Sequence, residues 1–126
     1  SLTDSDPVVR YWAATWLGNL RAIECRDGLK IATHDAVPTV RVALHLALCS
    51  MGDADTSLPA LIELVDDPNL LVGLYAMNAV EQTGILNASV ATGAEKGLAS
   101  PYDGTQRYGR RLKKKCEEIV RVSRNE

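Results

Sequence analysis

What most constrains this chain is that it says nearly the same thing three times. DPVVRYWAATWLG from Asp6, VPTVRVALHLALC from Val37 and DPNLLVGLYAMNAVE from Asp67 align on Val9, Val40 and Val72, anchors 31 and 32 residues apart. A degenerate fourth copy, RYGRRLKKKCEEI from Arg107, aligns with Tyr108 at the same position. Periods of this length belong to stacked repeat architectures. There, one unit cannot bury its apolar face alone and rests it on its neighbours.

Each copy is written in helix chemistry. Asp6-Pro7 and Asp67-Pro68 place a capping carboxylate before a proline at the first helical position, and Asp35 with Pro38 is a looser version. Apolar residues then recur at i, i+3 and i+4. The first copy carries Val9, Trp12, Ala13, Trp16, Leu17 and Leu20 on one stripe, with Trp16 at its centre as a core residue and Trp12 and Tyr11 towards its edge. The second carries Val40, Ala43, Leu44, Ala47 and Leu48; the third, Val72, Tyr75, Ala76, Ala79 and Val80. Gly18, Gly52 and Gly84 come late in or just after these helices, where the chain must turn. Weaker helices fill the intervals: SLPALIELVDD, capped by Ser57 with Pro59 in its first turn, GLKIAT from Gly28, and VATGAEKGLAS from Val90. No copy reads as a strand, and the absence of Phe beside abundant Ala, Leu and Val favours closely packed helices. The expected fold is all-α: one domain over residues 1–126, an α-solenoid of about three and a half helical hairpins.

The D-P-x-V-R turn before an Ala/Leu-rich helix resembles the HEAT-repeat family. Asp6 with Val9-Arg10, and Val40-Arg41, match the family's turn, and Gly73 stands where a third arginine is expected. The resemblance implies a right-handed α-solenoid in which Asp6, Arg10 and Arg41 belong to a ladder between adjacent turns. The longer phrase DPVVRYWAATWLGNL, followed by VPTVRVALHLAL, is similar to the C-terminal HEAT-like extensions of bacterial arylsulfatase-like proteins. That implies a scaffold segment attached to a hydrolase domain lying outside these residues. The sulfatase motif C/S-x-P-x-R is absent, since Cys25, Cys49 and Cys116 are followed by RDGL, SMGD and EEIV, so no catalytic role maps here. The competing reading is a free-standing adaptor of the kind seen in phycobilisome-lyase-type HEAT repeats, with a nucleic-acid-binding HEAT-like domain behind it.

The two ends read differently. Trp12 and Trp16 follow almost directly on Ser1, which leads us to expect the C-terminal fragment of a larger protein whose preceding helix covers them. At the other end Tyr108, Leu112, Cys116 and Ile119 form a narrow stripe with charge around it, as a capping helix requires. Residues 1–103 hold 13 acidic and 6 basic side chains; residues 104–126 hold 3 and 8. Positive charge confined to one helix, on a body that repels phosphate, reads first as the solvated face of a capping helix, second as a docking patch for an acidic partner at Arg110, Arg111 and Lys114, and last as a nucleic-acid surface. The candidate interfaces are therefore the Trp12/Trp16 end, for a parent domain, a protein partner or self-association, and this basic helix.

Nothing else in the chain reads as chemistry. His34 and His45 lack the spacing of a metal site, Asp53 and Asp55 open no calcium loop, and three scattered cysteines make neither a disulfide framework nor a zinc site. Cys49 and Cys116 read as small core residues. No nucleophile elbow or phosphate loop is present, and no cofactor is expected. No apolar run approaches the ~20 residues of a membrane span. Localisation follows the parent: periplasmic or secreted with a sulfatase, cytoplasmic otherwise. Asn87-Ala88-Ser89 is a formal glycosylation sequon.

Overall fold

The computed structural model describes residues 1–125. They form seven α-helices and no strand: α1 (Pro7–Leu20), α2 (Arg26–Ala32), α3 (Pro38–Ser50), α4 (Ala54–Leu64), α5 (Leu70–Gln82), α6 (Ala88–Leu98) and α7 (Asp103–Arg124). A 3₁₀ turn at Ile23–Cys25 leads into α2. The long helices α1, α3, α5 and α7 stack side by side in that order, and α2, α4 and α6 pack along one side of the stack. That is a two-layer helical superhelix.

Local chemistry sets the helix starts, with three departures from the sequence reading. The Asp6 carboxylate accepts the Val8 N–H at 2.9 Å ahead of Pro7. In the third copy the cap moves two residues on: Asp67 accepts from Asn69 N, and Asn69 caps α5 through Leu71 N, leaving Pro68 in the turn. In the second copy Asp35 likewise accepts from Val37 N, and Val37 is the residue flanking α3. α4 starts at Ala54, so Ser57 is no cap; it is buried inside the helix with its hydroxyl 3.1 Å from His45 Nδ1. Pro59 then lies in the helix interior, and the carbonyl it cannot serve belongs to exposed Asp55, where water can reach it.

Two buried clusters run through the layers. One gathers Leu29, Val40, Leu44 and Leu48 with Ala14; the other gathers Leu61, Met77, Val80, Val90 and Leu112. The stripes of α3 and α5 are buried as the spacing requires, except Tyr75. α7 buries Thr105, Gly109 and Leu112, with Tyr108 and Cys116 half-buried beside them and Ile119 exposed. Gly73 has a packing reason that the absent arginine did not suggest. A Cβ there would come within 2.8 Å of the Val65 carbonyl oxygen at the end of α4. Gly109 holds the equivalent position in α7, where a Cβ would meet Ala94 O and Leu98 N at 2.8 Å.

α1 corrects the reading of its stripe. Its buried residues are Ala14 and Gly18, the latter seated against Ala47 of α3, whereas Trp16 is 65% exposed and Trp12 61%. Trp16 is therefore not core. α3 takes the side of α1 that carries the small residues, and the side that carries the large ones faces outward.

Candidate interaction surfaces

Asp35 is the hinge of the polar contacts between repeats. The Arg10 guanidinium donates from Nε and Nη2 to its two carboxylate oxygens at 2.7 and 3.1 Å, and from Nη1 to the carbonyls of Asp4 and Ser5. Arg41 donates to the Asp35 carbonyl at 2.8 Å. Arg10 and Arg41 thus converge on one turn, while Asp6 stays outside it and only caps α1. The missed signal was periodic. Asp4, Asp35 and Asp67 each lie five residues before an anchor valine, and each accepts the backbone N–H two residues on. Arg10 holds the Asp35 carboxyl below the usual carboxylate range, with partial desolvation opposing it.

The outer face of α1 is defined by the repeat register. Trp12 and Trp16 correspond to Ala43 and Ala47 of α3, to Tyr75 and Ala79 of α5 and to Arg111 and Lys115 of α7. At this register α3 meets α1 and α7 meets α5: Ala47 lies against Gly18, and Arg111 and Lys115 reach Glu81 at 2.6 and 3.5 Å. On α1 the same positions carry two tryptophans facing outward. With Val8, Val9 and Leu20, all exposed, they present on the order of 600 Å² of apolar surface, at the top of the range for the largest patch on a monomer.

A second surface lies on the free side of the long-helix layer, opposite α2 and α4. Tyr11 of α1 and Tyr75 of α5 approach to 6.5 Å between ring centres, with α3 between their helices, so the layer is concave here. Trp12 packs edge-on to Tyr11 at 5.4 Å. These rings, with Leu46, Asn78 and Gln82, line a groove of about 660 Å³ in which no side chain is charged. Burial of Tyr11, with Tyr75 beside it, raises its phenol above the usual value.

α7 supplies the basic surface. Arg111 pairs with Glu81, holding that carboxyl low, and its guanidinium lies 4.9 Å from the Tyr108 ring centre. Lys113 reaches Glu95 and Arg107 reaches Asp103. Arg110 and Lys114 are exposed and make no ion pair among the described residues.

Burial pushes the Cys49 thiol up to about 11, which removes its thiolate at neutral pH. Burial, with Arg41 nearby, lowers the His45 pKa, and its ring bonds to Ser57. Cys25, Cys49 and Cys116 are free and half-buried. Among the described residues no group of three or more His, Cys, Asp or Glu is placed to hold a metal ion, and no helix is long and apolar enough to cross a membrane. The Asn87 side chain of the sequon caps α6 by accepting from Val90 N.

A family profile described as HEAT repeats matches residues 1–79. No curated protein and no solved structure matches the chain, so no match connects it to sulfatases.

Proposed function

The chain belongs to the HEAT-repeat family, and from that premise we propose that it is a non-catalytic scaffold that docks through the outer face of α1. The observation that carries this is the register. Trp12 and Trp16 occupy the register positions through which α3 meets α1 and α7 meets α5, and both stand exposed. A helical element of a neighbouring domain in the same polypeptide is the occupant this geometry fits. Beyond Arg10, whose guanidinium is taken up by Asp35, α1 carries no charge, so its partner surface is apolar.

The parent we propose is a sulfatase-family hydrolase, with this chain as its C-terminal region. Only the likeness of VVRYWAATWLG to such extensions supports that parent. The reading frame upstream of Ser1 tests it. A C/S-x-P-x-R motif after a strand, in a long α/β-patterned region, is the expected finding. An initiator methionine directly before Ser1, or only further helical repeats, would reject the hydrolase parent and leave a free-standing adaptor.

A further inference from the structure

We infer that the concave groove across α1, α3 and α5 is a binding site for an extended, acidic polypeptide segment with an apolar anchor. The groove shares Trp12 at its rim with the outer face of α1, but Tyr11, Tyr75, Leu46, Asn78 and Gln82, which carry the inference, lie outside that face. Tyr11, Trp12 and Tyr75 set three neighbouring aromatic rings along one wall of the groove, an apolar surface on which a leucine or aromatic side chain can rest, and the groove's volume of about 660 Å³ leaves room for the residues on either side. Its walls carry no charge, so an apolar side chain entering it strands no ion. Asn78 and Gln82 present primary amides along the same groove, each offering a donor and an acceptor. That pairing suits the alternating N–H and C=O groups of an extended backbone, which a docked helix would have satisfied internally.

Charge gives the segment its direction. Lys114 and Arg107 of α7 hold the register positions of Asn78 and Leu71 on α5, so the surface beyond Tyr75 turns basic. Lys114, with Arg110 beside it, is unpaired among the described residues, whereas Arg111 is occupied by Glu81. Helices packed side by side sit about 8–10 Å apart, and an extended chain advances ~3.3 Å per residue. An acidic side chain therefore meets Lys114 about three residues beyond the apolar anchor. A nucleic acid fits less well: the positions matching Lys114 on α1, α3 and α5 are Thr15, Leu46 and Asn78, so its phosphates would find cations on one helix only.

The test is a phage-displayed library of random peptides of about twelve residues, long enough to cross four helices, selected on the full chain. The enriched sequences should pair an apolar residue with Asp or Glu about three positions away. A fluorescein-labelled peptide of that pattern should lose roughly tenfold in affinity on Tyr75→Ala and again on Arg110→Glu/Lys114→Glu. Circular dichroism checks that these surface variants stay folded. Absence of enrichment, enriched sequences without acidic residues, or binding that survives both variants would overturn the proposal. So would displacement of the peptide by single-stranded oligodeoxythymidine.

Discussion

At the scale of single residues, polar groups inside the stack set the pH response. His45 sits between α3 and α4, bonded to Ser57, in a hollow shared with Arg41, Glu63, Asp66 and Asp67. Burial, then Arg41, favours its neutral form, so its folded pKa lies below the unfolded value of 6.5. Between those two values the unfolded chain binds a proton that the folded chain refuses, and stability falls as pH falls. Thermal melts from about pH 7 to about pH 5 should show wild type losing more stability than His45→Gln, whose amide can still bond to Ser57. Parallel loss in the two proteins would show that His45 titrates freely. Asp35 acts lower. Its carboxylate, held down by Arg10, contributes stability above the usual 3.8 that disappears as pH falls through the depressed value.

At the scale of elements, the backbone made some boundaries legible and hid others. Pro7 and Pro38 start α1 and α3 as their position implies, because a proline at the first helical residue forfeits no bond. Pro68 and Pro59 misled: the caps beside them were equally plausible in sequence, and only the turn geometry at Asn69 and the burial of Ser57 chose between them. Spacing identified the buried sides of α3 and α5 because both sides of those helices find neighbours. It could not say which half of the α1 stripe faces α3, since that depends on where Gly18 permits close approach. The same logic makes the α6–α7 contact fragile. Gly109→Ala would push a methyl against Ala94 O and Leu98 N, main-chain atoms that cannot swing away. It should destabilise the chain by about 1–3 kcal/mol in chemical denaturation. A neutral substitution would mean that α7 can slide on α6.

At the scale of the whole molecule, the repeat period carried the architecture. Three anchors in one register were enough to place seven helices in two layers. The candidate surfaces were less legible. The stripe bearing Trp12 and Trp16 was legible as one that wants a cover, although Trp16 was read as core, but the concave groove joins Tyr11 to Tyr75 across 64 positions, a relation that only superhelical curvature creates. The central claim is that the outer face of α1 is a docking surface, and sedimentation velocity of the isolated chain over a range of concentrations tests it most directly. An apolar face of this size should drive reversible self-association in the wild type. Trp12→Ala/Trp16→Arg should sediment as a monomer with an unchanged helical circular dichroism spectrum. A wild-type chain that stays monomeric, or a variant that associates as strongly, would contradict the account.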